Sequence, residues 1–225
     1  MEKLIIQGGM LMENNKLGTM TMKKLVLVNG IPLMLSLLIS NLYNFVDSIF
    51  VSRISETALT ALSLANPIQV LMSALGVANA VGVNAVISKA LGKKDEDEIK
   101  NAASASIWLA FVFWIILALL EFVLIKPYFE FQTGGNQEIM NYGIQYLSIV
   151  MLGSLGVMGQ WVFDRFTISS GKSSLFLITL SSGAITNIIL DPIFIFGYFG
   201  VPAMGIKGAA IATVIGQFVG ASMGI

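Results

Sequence analysis

Neither cysteine nor histidine occurs anywhere in the 225 residues. Their absence excludes disulfides, thiolate or imidazole metal ligands, thiol nucleophiles and histidine acid–base chemistry. Charge is nearly as scarce. Thirteen basic and thirteen acidic residues make up 12% of the chain and cancel, whereas soluble domains carry about 25% charged residues. Without a net positive charge there is no electrostatic basis for binding nucleic acid. The motifs of common hydrolases are missing too. No G-x-S-x-G occurs, and "FTISSGKS" puts Phe166 where a phosphate loop needs its first glycine. The chain reads as a non-enzyme without a cofactor.

What is present is apolar: 56% of residues are hydrophobic and the mean hydropathy is +0.82. Six runs are long enough to cross a bilayer, at about 25–50, 62–88, 102–125, 142–163, 174–196 and 207–225. The expected fold is therefore all-α, a polytopic membrane helix bundle of six transmembrane helices. Residues 1–24 form a mixed, polar N-terminal segment without a cleavable signal pattern, and translation could begin at Met1 or Met12. The sixth run is still apolar at Ile225, so the chain is expected to be a fragment whose last span is cut short. Ten of the thirteen basic residues fall in the N-terminal segment and the 2–3 and 4–5 loops. Only Arg53, Lys126 and Lys207 fall on the other side. The positive-inside rule then places the N-terminus in the cytoplasm. The "GKKDEDEIK" block reads as a solvated turn that opens a helix. Gly208, Ala212, Gly216, Gly220 and Gly224 put a small residue at every fourth position of the last span, a ridge suited to close helix packing.

Charge at a bilayer centre costs at least about 2.5–3.5 kcal/mol, so an acid inside a span needs a cavity or a partner. Asp47 lies near the outward end of the first span and Asp191 near the outward end of the fifth, at similar depth. Asn41 and Asn44 precede Asp47 at helical spacing, and Asn187 stands one turn before Asp191. Pro192 removes a backbone donor directly after Asp191, and a kink there would expose carbonyls to a cation. Glu121 reads as an interfacial acid snorkelling near Lys126. Asp164, beside Arg165, reads as a loop-capping acid at the end of the fourth span. The amides Asn66, Gln69, Asn79 and Asn84 punctuate the second span, where interhelical hydrogen bonds or a substrate path would account for them equally.

Four separated blocks resemble the multidrug and toxic compound extrusion (MATE) family, in the clostridial-type prokaryotic branch. They are "LISNLYNFVDSIFVSRISETALTALSLANPIQ", "VGVNAVISKALGKKDEDEIKNAA", "TNIILDPIFIFG" and "GIKGAAIATVIGQ". The resemblance implies a twelve-helix antiporter of two six-helix lobes, of which this chain holds the N-terminal one and lacks the C-terminal one. It implies a multi-pass protein of the bacterial plasma membrane that exports small cationic or amphipathic compounds against protons or sodium. It matches Asp47 to an aspartate of helix 1, and Asn187 and Asp191 to an Asn-x-x-x-Asp pair of helix 5. Asp164 falls at a position often occupied by asparagine. The resemblance thus implies coupling through Asp47, Asn187 and Asp191, with sodium as the one candidate metal ion there. Asn41, Tyr43, Asn44, Gln69 and Asp164 are the candidate cavity or ion-site neighbours. On this reading a cationic substrate competes with the coupling ion for the same negative charge. The rival readings are a lipid-linked oligosaccharide flippase of the same superfamily, a non-transporting truncated membrane subunit, and a homodimer of half-lobes. No lysine or arginine lies deep in a span, which favours drug export over a flippase that grips pyrophosphate.

Overall fold

A computed structural model describes residues 21–170 and 172–224. The proposed start sites, and all but the last few residues of the N-terminal segment, lie outside them. The described residues form helices α1 (Met22–Ser52), α2 (Glu56–Lys93), α3 (Glu96–Thr133), α4 (Gln137–Leu152), α5 (Leu155–Ser169), α6 (Ser173–Phe196) and α7 (Ile206–Met223), with a short 3-10 turn at Tyr198–Gly200. Five of the helices are long and apolar enough to cross a membrane, and α4 with α5 supply a sixth, bent crossing. This is an all-α, multi-pass membrane fold. α2 and α3 have 38 residues each, or about 57 Å at 1.5 Å per residue. They outrun the hydrocarbon layer of about 30 Å, so hydropathy marked only their middles.

The turns are built by local chemistry. Ser55 caps α2 by accepting from the Ala58 amide at 3.0 Å. Asp95 caps α3 by accepting from the Glu98 amide at 2.9 Å, with Glu96, Asp97 and Glu98 in the first turn. Acids there complement the helix dipole, so the "KKDEDE" block is the solvated helix start its composition suggests. This turn and the α5–α6 turn define the basic end of the bundle, which carries Lys89, Lys93, Lys94, Lys100, Arg165 and Lys172.

The fourth crossing breaks at Gly153–Ser154 with a 48° bend. A break in lipid must satisfy the carbonyls it frees. The Trp114 indole of α3 donates to the Leu152 carbonyl at 2.8 Å, and the Ser154 hydroxyl donates to the Met151 carbonyl at 2.7 Å. On the other side Val214 of α7 packs where a Gly153 side chain would stand.

Glu121 departs from the snorkelling expectation. It follows the spacing of Ser106, Ala110, Leu117, Ile125 and Phe129, the buried stripe of α3. Its Oε2 is sealed without a hydrogen-bond partner, while Lys126 pairs with Glu130 at 4.0 Å.

α6 packs between α1 and α7. The small-residue ridge lets α6 and α7 meet backbone to backbone. A Cβ on Gly216 would lie 2.7 Å from the Gly183 carbonyl oxygen, and one on Gly208 would lie 2.5 Å from the Phe194 backbone. α1 is the opposite case. Only 6% of its apolar window is buried, against 50% for α7. The Gly216→Val protein is expected to lose about 1–3 kcal/mol or more, because two backbones must separate. Gly92→Ala, which meets nothing within 4 Å, should be neutral, and thermal denaturation in detergent compares the two.

Candidate functional site

α1 and α6 bring Asp47 and Asp191 together, away from the basic end. Both are buried, Asp191 completely, and their carboxyl groups lie within direct hydrogen-bonding reach of each other. Asn187 stands one turn before Asp191 on α6. Its Nδ2 donates to Asp191 Oδ1 at 3.3 Å and to the Thr213 hydroxyl of α7 at 3.4 Å. Asn187 Cβ would touch a Gly216 side chain at 3.2 Å, so the glycine ridge is what lets Thr213 approach.

Three buried acceptors here have no donor: Asp47 Oδ1, Asn187 Oδ1 and Asp191 Oδ2. Buried polar atoms are nearly always paired, and two carboxylates in contact repel when both are ionised. These oxygens form a cluster of acceptors without a donor among the described residues. Among the described residues no three acidic side chains converge. The donor set is therefore two carboxylates and an amide, low in charge for a divalent ion. α6 continues as helix through Pro192 to Phe196. Within it, Pro192 cannot give the bond that the Ile188 carbonyl would otherwise accept.

The pair borders a cavity of about 690 Å³ lined by all seven helices except α3. Asp47 lines it, while Asp191 stands behind Asp47, out of the lining. Tyr43 lies near both carboxylates and Tyr146 near Asp47. Gln69 donates to the Tyr146 hydroxyl at 3.3 Å.

The other candidates divide. Asn41 and Asn44 line the cavity but are exposed, donating back to the Leu37 and Ser40 carbonyls of their own helix at 2.8 Å. Three-residue steps slip by about 60° each on a 3.6-residue helix, which turns Asp47 inward and leaves the asparagines on the cavity wall. Asp164 also lines the cavity, held through Oδ1 by the Thr179 hydroxyl at 2.7 Å. It is a buried cavity residue rather than a loop cap. Arg165 lines the cavity as well, four residues before the end of α5, so a basic side chain reaches the cavity without lying deep in a span. Sequence reasoning missed Thr213, whose only signal was its place within the small-residue ridge.

Asp191→Asn replaces one of two touching carboxylates with a neutral group of equal size. In sodium-free buffer at neutral pH the variant is expected to melt higher. Relief of one unpaired buried group contributes about 1–3 kcal/mol, and each kcal/mol moves the midpoint of a chain this long by about 2–4 °C. A lower melting temperature, read by scanning fluorimetry, would count against repulsion at the pair.

Comparison with known proteins follows the same lines. The MatE family profile matches residues 32–193. The probable multidrug resistance protein NorM of Thermotoga maritima is 28% identical over 197 residues, covering 86% of this chain and 42% of that protein. The multidrug export protein MepA of Staphylococcus haemolyticus is 30% identical over 187 residues, covering 83% and 40%. The FAD transporter of Shewanella oneidensis is 26% identical, covering 80% and 40%. A MOP superfamily transporter from Pyrococcus furiosus superposes with a TM-score of 0.82 at 25% identity, covering 96% of this chain and 45% of its own. The chain thus spans about two fifths of the length of its curated relatives. With a profile match across most of its length and a fold shared with one lobe of solved transporters, the chain belongs to the MatE family.

Proposed function

We propose that this chain is the ion-coupling lobe of a secondary multidrug antiporter of the bacterial plasma membrane, with its N-terminus in the cytoplasm. The transporter exchanges cationic or amphipathic compounds for protons or sodium ions. The observation that carries the reading is the contact of Asp47 with Asp191 beside Asn187, with three buried oxygens lacking donors. Two relatives are named for multidrug resistance or export, which supports the substrate class.

The steps follow from the charges. With both carboxylates ionised the site is repulsive, and the adjoining cavity is attractive to cations. A proton on one carboxyl lets it donate to the other. A sodium ion would instead draw the three free oxygens onto itself. Either neutralises Asp47, the member of the pair that faces the cavity, and weakens the hold on a cationic substrate. Because α1 carries Asp47 and α6 carries Asp191, occupancy of the site favours one arrangement of α1 against α6. The remaining cavity wall is supplied by a second lobe, in keeping with the longer relatives.

A flippase or another carrier of anionic cargo draws some support from Arg165 in the cavity lining and from a relative named as an FAD transporter. Asp47 and Asp164 outnumber that one arginine among the lining side chains, which favours cationic cargo. Expressed in the complete transporter in drug-susceptible bacteria, Asp47→Asn and Asp191→Asn are expected to reduce ethidium resistance to that of cells without the transporter, at unchanged protein levels. Undiminished efflux in both variants sinks the assignment.

A further inference from the structure

The cavity has a second carboxylate that the coupling pair does not use. Asp164 is 2% exposed as a residue, yet only its Oδ1 is engaged, by Thr179. Its Oδ2 has no hydrogen bond among the described residues and is absent from the sealed atoms, so it opens on the cavity. No basic side chain pairs with it within 4.0 Å among the described residues, although Arg165 is its chain neighbour. Thr179, which holds it, stands 12 residues before Asp191 on α6, about 18 Å away at 1.5 Å per residue.

The surroundings are aromatic and polar, and the one cation in the lining is Arg165. Trp161 lies one turn before Asp164 on α5 and lines the cavity. Its ring is pressed against α2 at Gly76, where a Cβ would meet it at 1.7 Å. Phe176 of α6 lines the same end, one turn before Thr179. From the other elements the lining offers Ser36 and Ser40 of α1, Ser73 of α2 and Gln217 of α7. Its only other titratable or charged groups are Tyr43 and Asp47 of α1, Tyr146 of α4 and Arg165 itself. A carboxylate that shares a cavity lining with an indole and a phenyl ring suits a large, weakly hydrated organic cation, through charge and cation–π attraction.

We propose that Asp164 is a second cation-binding carboxylate of this cavity, seating the charged group of a lipophilic organic cation with Trp161 and Phe176 of the same lining, at the level of Thr179, 12 residues before Asp191 on α6. The inference rests on the cation-export reading above and sharpens it. The substrate's charged group thus has a seat at Asp164 apart from the pair, while Asp47, on the same cavity wall, remains the carboxylate whose neutralisation loosens the cation.

The test uses the chain together with any further lobe its gene encodes, purified in detergent. Tetraphenylphosphonium binding is read by equilibrium dialysis, and the response to sodium or protons by thermal shift. Asp164→Asn keeps the acceptor for Thr179 and is expected to weaken tetraphenylphosphonium binding at least tenfold while leaving the ion response intact. Asp191→Asn is expected to do the reverse. On the wild-type protein, tetraphenylphosphonium should slow carbodiimide modification of Asp164 but not of Asp191, read by mass spectrometry. That measurement keeps the proposal open to refutation if the variant fails to fold. Binding by Asp164→Asn within twofold of wild type, or equal labelling of Asp164 with and without the cation, overturns the second station alone. A wild-type protein that binds no tetraphenylphosphonium overturns the cation-export reading and this proposal with it.

Discussion

Everything about the site follows from one constraint: a carboxylate inside a membrane bundle must find something positive. This chain offers almost nothing of that kind. Its basic residues are gathered mainly at one end, it has no histidine, and the Asp47–Asp191 contact lies toward the other end. The helices therefore place the two acids against each other, with an amide donor beside them, and leave oxygens unmet. In lipid, oxygens left unmet are costly. On the proposed reading, that cost makes the pair responsive to a small ion.

Packing allocates the work. α6 holds Asn187 and Asp191 in register because α7 locks onto it through glycines, with backbone nearly touching backbone at Gly183 and Gly216. Hydrophobic burial contributes little to helix association within lipid, so van der Waals fit must supply it. The same ridge delivers Thr213 to the site. The closely packed half of the candidate site is thus α6 with α7, and the carboxylate contributed from elsewhere is Asp47.

The apolar helices, and the shared level of Asp47 and Asp191 along the bundle, were legible because hydropathy and chain direction report on them directly. Asn187 was legible as a one-turn neighbour. The juxtaposition of the two acids was not, since depth is a single coordinate and says nothing of rotation about the helix axis. Asn41 and Asn44 were legible too: their spacing put them with Asp47 on the cavity side of α1, although they are exposed where Asp47 is buried. The Gly153 break escaped notice because its compensation comes from Trp114, 38 residues away in sequence. Glu121 was misplaced for want of the stripe on which it sits. Apolar residues surround it on every side in this span, so the sequence offers no contrast from which to read a face.

α1 carries its own polar bonds. Ser36, Asn41, Asn44 and Ser48 all bond to carbonyls one turn back on the same helix, and its outward surface is apolar. Asn29 accepting from Ser173 at 3.0 Å is the one side-chain hydrogen bond tying α1 to another helix among the described residues. Such a helix is held by its apolar packing on α6 and by few polar bonds. On the proposed reading, a change of one elementary charge at Asp47 therefore meets little polar resistance elsewhere along α1.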